Sequence, residues 1–329
     1  MQAAKPKLLI ARAMFPDVLA RLNDYFELEQ NPEDHIFSQE ELAVRLQGKF
    51  GMICTSSAKI NQELLSKLPD LRIISTIAVG FDNFDLSECT QHQVMATNAP
   101  DVLNETTADF AWALMMATAR RVTEAEHFLR GGDWKKWGVD LFVGADVHGS
   151  RLGILGMGRI GQAIARRAAG FGMEVIYHNR TRLSFEQELA AQYARYVDKE
   201  SLLRESDHLI LALPYSPESH HCIAANELAK MKSTATLINI ARGGIVDDSA
   251  LIQALKTGQI AGAGLDVFEN EPRFHADFLG LKNVVLTPHI ASASEKTRRA
   301  MVDRAVTNVI AAVRGEVPPD LLNRDVLDA

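Results

Sequence analysis

The chain is short of cysteine, of positive charge and of long apolar runs, and each shortage removes a class of function. Its three cysteines, Cys54, Cys89 and Cys222, are odd in number and far apart. Such a set builds neither a disulfide framework nor a clustered metal site. Free thiols, buried as small hydrophobes in a reducing cytoplasm, are therefore expected, with no bound metal. Lys and Arg number 35 against 42 Asp and Glu, a net charge of −7, which leaves no basic face for nucleic acid. No segment approaches the roughly 20 apolar residues of a membrane span. No charged leader with an apolar core opens the chain, so no signal peptide and no membrane partner are expected. What is there is 329 residues of ordinary, 47% hydrophobic content, long for one compact core, and two domains are expected.

The first third alternates strand and helix patterns. Lys7–Ile10, Met52–Cys54 and Leu71–Ile77 read as apolar strands, and Pro16–Phe26 and Asn61–Leu68 as helices, the latter stopped by Pro69. Asp109–Phe128 reads as one long apolar helix ended by Gly131-Gly132. The stretch Asp133–Gly149 then carries Trp134, Trp137, Leu141 and Phe142 without a period, the composition of a subunit contact. From Arg151 the alternation restarts with strand Leu152–Leu155, helix Arg159–Phe171 and strand Glu174–His178. Strands at Leu209–Leu213, Thr236–Ile240, Ala263–Val267 and Val284–Thr287 follow, then a last helix, Ser294–Arg314. This pattern predicts an α/β protein with two doubly wound, Rossmann-like or flavodoxin-like parallel sheets.

Gly156-Met157-Gly158-Arg159-Ile160-Gly161 sits between an apolar strand and an amphipathic helix. In that setting Gly156 permits a tight turn, Gly158 leaves room for a pyrophosphate, Gly161 lets helix and strand pack, and helix amides face the phosphates. About 20 residues on, an acidic residue would select NAD. The chain has Asn179-Arg180-Thr181-Arg182 there instead. Nothing repels a 2′-phosphate and two guanidiniums are offered to it, so NADPH is expected over NADH.

Three polar residues follow later strands: Arg242, Glu271 and His289. Reducing a 2-oxo acid requires a cation for the carboxylate, a proton donor for the carbonyl oxygen and a group that keeps the donor protonated. Arginine, histidine and glutamate match those needs in turn. The neighbouring His220-His221 are expected to be surface or packing residues.

Taken together, the glycine loop, Ile240-Ala241-Arg242-Gly243-Gly244-Ile245-Val246-Asp247, Gly264-Leu265-Asp266-Val267-Phe268 with Glu271-Pro272, and Pro288-His289-Ile290 resemble the D-isomer-specific 2-hydroxyacid dehydrogenases. Within that family, Ser75–Asp85 and Ala145–Gly149 look most like the bacterial glyoxylate/hydroxypyruvate reductases, a group that includes 2-ketogluconate reductases. The resemblance implies catalytic Arg242, Glu271 and His289, with the active site in a cleft between the domains. It implies substrate contacts from Val79 and Gly80, and from Trp137 of a partner subunit. Cofactor contacts are implied for Thr106, Gly156, Gly158, Arg159, Ile160, Gly161, Asn179, Arg180, Thr181, Leu213, Pro214, Ile240 and Ala241, and for Asp266 at the carboxamide. It also implies a discontinuous substrate domain, 1–101 plus 290–329, a cofactor domain, 102–289, and a homodimer through an arm at about 112–150. Arg273-Phe274-His275 and Ser56-Ser57 depart from the commoner family pattern.

The expected activity is NADPH-dependent reduction of glyoxylate, hydroxypyruvate or 2-ketogluconate to the D-2-hydroxy acid. The alternatives are an NAD-dependent D-lactate or phosphoglycerate-type dehydrogenase and a dinucleotide-sensing, co-repressor-like binding protein.

Overall fold

A computed structural model describes residues 4–328. The chain divides into two compact units, one running to Leu103 and resuming at Ser294, the other spanning Asn104–Ala293.

The first unit is built on a five-stranded sheet: β1 (Lys7–Ile10), β2 (Glu27–Gln30), β3 (Gly51–Cys54), β4 (Ile73–Thr76) and β5 (Met95–Thr97). Every pairing is parallel and the order is β2-β1-β3-β4-β5. β3 and β4 are buried throughout, as strands covered on both faces are, and β4 ends in the buried polar pair Ser75 and Thr76. Gly51 is required at the β3–β4 contact, because a Cβ there would lie 2.8 Å from the Ile73 carbonyl oxygen. Short helices are started by side-chain caps at Ser38, Asn61 and Asp85. The last helix, Glu295–Val313, is capped by Ser294 and packs on β3 and β4. Its fully buried Asn308 donates to the Asn98 carbonyl and to Asp320, tying the helix to the end of β5.

The second unit has seven strands: β6 (Arg151–Leu155), β7 (Glu174–His178), β8 (Arg195–Tyr196), β9 (His208–Leu211), β10 (Thr236–Asn239), β11 (Gly262–Leu265) and β12 (Val284–Leu286). They form one parallel sheet in the order β12-β11-β10-β9-β6-β7-β8. Strand order reverses at the β6–β9 pair, so the turn after β6 opens at the switch point where sheets of this kind hold ligands.

Three expectations are corrected. The helix expected over Asp109–Phe128 is two helices, Asn104–Ala119 and Val122–Arg130. Arg121 between them is left-handed, and the Ala119 carbonyl accepts from the Ala145 amide at 2.9 Å instead of continuing the helix. Gly144 permits that docking, since its Cβ would fall 2.3 Å from the Ala119 oxygen. The α-helix expected over Pro16–Phe26 is one turn, Pro16–Leu19, followed by a 3₁₀ segment to Asp24. Cys54 and Cys89 are buried free thiols, the latter pushed up to about 12 by burial, but Cys222 is half-exposed. Among the described residues no helix is long and apolar enough to cross a membrane, and no cluster of three metal-ligating side chains occurs.

Candidate active site

The turn after β6 has three glycines with three different constraints. Gly156 has φ +97°, and a Cβ there would lie 2.6 Å from the Leu213 amide nitrogen. A Cβ on Gly161 would lie 2.3 Å from the Gly156 carbonyl oxygen. A Cβ on Gly158 would meet nothing within 4 Å, and its φ of −74° suits any residue. Protein packing therefore dictates the first and third glycines, while the middle one borders open space. Gly158 is also the N-cap of the helix Arg159–Arg167 and supplies no side-chain cap. An uncapped helix N-terminus opening onto a space that a Cβ would narrow fits an anionic pyrophosphate. Arg159 is exposed and Ile160 half-buried on the first helical turn.

The end of β7 is fixed by His178, whose Nδ1 donates to the Val197 carbonyl at 2.9 Å and whose own carbonyl accepts from the Gly156 amide. Asn179 then donates to the Thr181 carbonyl at 3.1 Å, folding the loop so that Arg180 and Thr181 are exposed. The two arginines part company here. Arg182 makes a two-pronged ion pair with Glu188, at 2.8 and 3.0 Å, and Tyr177 donates to the same carboxylate at 2.7 Å. The guanidinium holds the Glu188 carboxyl below its ordinary range. Both guanidiniums are exposed, but Arg182 is engaged by Glu188 while Arg180 makes no such pair with it.

The three residues expected to react lie beyond β10, β11 and β12. Arg242 follows β10 in a loop set by Asn239, whose side chain accepts from the Ala241 amide and donates to the Arg242 carbonyl, each at 3.1 Å. Ile240 and Ala241, expected at the cofactor, are nearly buried beneath it. Glu271 turns back on its own loop and accepts from the Phe268 amide at 2.9 Å through one oxygen and from His289 Nδ1 at 2.7 Å through the other. Burial alone would raise the Glu271 carboxyl. The His289 bond and charge, the Phe268 amide and the nearby Arg242 charge outweigh it, and the net displacement is downward. An ionised Glu271 so fixed orients the imidazole and turns Nε2 away from itself.

Asp266, expected at the cofactor carboxamide, is fully buried. Its carboxylate accepts from Thr287 Oγ1, the Ile290 amide and the Ala291 amide, all at 2.8 Å. Burial raises this carboxyl, and those donors offset part of the rise. Leu213 is half-buried and Pro214 exposed at the end of β9, with the Pro214 carbonyl accepting from Ser219. Thr106 is half-buried in the first turn of the helix Asn104–Ala119. Trp137 is 73% exposed in an irregular stretch where Trp134, Val139 and Val143 are also exposed. In the first unit, Val79 and Gly80 follow β4 in a turn held by Asn98, which donates to the Val79 carbonyl at 2.7 Å, and by Thr76, which accepts from the Ala78 amide.

Sequence reasoning missed a neighbouring polar cluster. His221 is no mere surface residue: its Nε2 donates to Glu269, and its ring stacks on His220 at 3.9 Å. Glu269 in turn donates its amide to Asp248, a nearly buried carboxyl pushed up to about 6 by burial and then by the charge of Glu269. Glu269 lies two residues from Glu271, and that proximity was the available signal.

A parallel sheet with a dinucleotide cradle at its switch point, beside a carboxylate-held histidine and an arginine, defines a dinucleotide-dependent oxidoreductase. Residues 112–291 match the model of the D-isomer specific 2-hydroxyacid dehydrogenase NAD-binding domain. The chain is 47% identical to a glyoxylate reductase of Thermococcus gammatolerans, over 98% of its own length and 97% of the relative's. It is 43% identical to one of Aeropyrum pernix over the same shares. Among solved structures, a D-isomer specific 2-hydroxyacid dehydrogenase of Polaromonas aligns at TM-score 0.90 and 38% identity, over 97% of this chain and 99% of that one. An NADPH-dependent glyoxylate/hydroxypyruvate reductase of Sinorhizobium meliloti, crystallised with NADP and malonate, aligns at TM-score 0.87 and 33% identity over 98% of both chains. The chain belongs to the D-isomer-specific 2-hydroxyacid dehydrogenase family, and its cofactor is a nicotinamide dinucleotide.

Proposed function

We propose that the protein reduces a small 2-oxo acid (glyoxylate, hydroxypyruvate or 2-ketogluconate) to the D-2-hydroxy acid, with NADPH preferred over NADH. The observation that carries this reading is the 2.7 Å bond from His289 Nδ1 to Glu271, with Arg242 close enough to help keep Glu271 ionised. Arg242 binds the substrate carboxylate as a permanently charged fork, joined by the Val79 and Gly80 amides. His289, oriented by Glu271, delivers a proton from Nε2 to the carbonyl oxygen. When bound, the cofactor supplies the hydride. Gly156, Gly158 and the Arg159, Ile160 and Gly161 amides hold its pyrophosphate, while Asn179, Arg180 and Thr181 receive the 2′-phosphate. Thr106, Leu213, Pro214, Ile240, Ala241 and the buried Asp266 complete its surroundings. The NAD-dependent alternative is disfavoured by the missing carboxylate after β7.

Two copies associate through the arm that exposes Trp134, Trp137, Val139 and Val143, in the cytoplasm. The test is a panel of 2-oxo acids against NADPH and NADH, following loss of reduced-nicotinamide absorbance and the chirality of the product. Turnover with glyoxylate or hydroxypyruvate, more efficient with NADPH, is expected. No turnover of any 2-oxo acid overturns the reading, and an L-product overturns the stereochemistry.

A further inference from the structure

The loop carrying Arg242 and the loop carrying Glu271 are in backbone contact. A Cβ on Gly243 would lie 1.8 Å from the Phe268 carbonyl oxygen, so the two main chains cross with no side chain between them. Bare backbone contact sets a minimum approach but does not stop the loops from sliding or parting. The residue that touches both is His221. Its backbone amide donates to the Gly244 carbonyl at 2.7 Å, two residues past Arg242. Its ring donates to Glu269, two residues before Glu271. Both ends are braced. The His221 segment continues along the Arg242 loop, with Ile223 donating to Ile245 at 3.1 Å and Asp247 donating back to Ile223 at 2.9 Å. The imidazole is stacked on His220, which Tyr215 contacts at 3.2 Å. On the far side, the Glu269 amide donates to nearly buried Asp248 at the start of the helix Asp248–Thr257.

We propose that His221 and Glu269 are positioning residues for the reduction: their pair fixes the spacing between the substrate clamp, Arg242, and the Glu271–His289 proton-delivery pair. This rests on the function proposed above. Neither side chain needs to touch substrate. One strut reaches the two functional loops, and it acts through them.

The experiment compares Glu269→Gln, His221→Gln, His221→Ala and the double variant Glu269→Gln/His221→Ala with the wild-type enzyme. The readouts are steady-state kinetics with glyoxylate and NADPH, NADPH affinity by fluorescence titration, and Tm. Displacing reacting groups by a fraction of an ångström to one ångström predicts a fall in kcat of about ten- to a hundredfold for His221→Ala, with unchanged NADPH affinity. His221→Gln, which keeps a donor, recovers part of that loss. Because one contact is removed in each case, the double variant is no worse than the worse single variant. Wild-type kcat in all folded variants, losses that multiply in the double variant, or weakened NADPH binding in step with kcat overturns the proposal. Glu269→Gln keeps the side-chain shape, His221→Gln keeps a donor, and these variants carry the test if His221→Ala does not fold. Failure of the wild-type enzyme to reduce any 2-oxo acid instead strikes the function on which the proposal rests.

Discussion

Asp266 holds His289 from two directions. Its carbonyl oxygen accepts the His289 amide at 2.9 Å, and its carboxylate accepts the amides of Ile290 and Ala291 just beyond. His289 itself is left-handed, with φ +53°, a backbone state that an L-residue keeps when its surroundings impose it. An asparagine at 266 would turn an amino group toward one of these donors. Asp266→Asn is expected to lower kcat about tenfold by loosening the loop. It should also cost about 1–3 kcal/mol of stability, as an unmet buried donor does. Steady-state kinetics and denaturant unfolding check both. An unchanged kcat would show that the loop keeps its shape without this carboxylate.

Gly158 separates ligand binding from folding. Gly158→Ala is expected to leave Tm near wild type and to weaken dinucleotide binding at least about tenfold. Gly161→Ala forces a clash with the Gly156 carbonyl and is expected to cost about 1–3 kcal/mol as overpacking does. Calorimetric titration beside thermal unfolding distinguishes the two. Wild-type affinity in Gly158→Ala would place the pyrophosphate elsewhere.

The pairing of Arg182 with Glu188 assigns different consequences to the two arginines after β7. Arg180→Ala should lower the NADPH-to-NADH ratio of kcat/KM by about ten- to a hundredfold, the size of a lost charge-assisted contact. Arg182→Ala should lower Tm, by stranding Glu188 and Tyr177, and leave that ratio near wild type. A larger change of ratio in Arg182→Ala would reverse the assignment.

Asp248 makes a pH-dependent contribution of known sign. Its folded value of about 6 lies above its ordinary 3.8, so the folded protein holds the proton more tightly and stability falls as pH rises between those values. The loss is complete above about pH 7 and amounts to at most about 3 kcal/mol. Asp248→Asn removes the charge and still accepts from the Glu269 amide. Its stability relative to wild type should therefore rise from about pH 4 to about pH 7 and then level off. Urea unfolding across that range tests it, and a pH-independent difference would mean that Asp248 is not protonated preferentially in the fold.

Much of the second unit was legible because its signals are local. Glu174–His178 is strand where its apolar pattern predicts one, and the glycine loop announces its own turn. The glycine after the second helix, Gly131, caps it where expected. Elements set by distant contacts were not legible. β2, Glu-Leu-Glu-Gln, is an edge strand with no apolar face, recruited by pairing to β1. The helix break at Arg121 depends on Gly144 and Ala145 docking over 20 residues later. In the site, Arg242, Glu271 and His289 stood out by residue type after strand ends. Arg182 looked equivalent to Arg180 until Glu188, a helical turn and a half away, was seen to occupy it. His221 and Glu269 are 48 residues apart, and nothing local joins them.

The central claim is that His289, oriented by Glu271, protonates the carbonyl oxygen of a 2-oxo acid as hydride arrives. The most direct measurement is kcat for glyoxylate reduction by wild type and His289→Gln at saturating NADPH, with NADPH affinity measured on the same samples. Loss of general acid catalysis predicts a fall of about a hundred- to ten-thousandfold in kcat at unchanged NADPH affinity. A variant that keeps wild-type kcat would contradict the account.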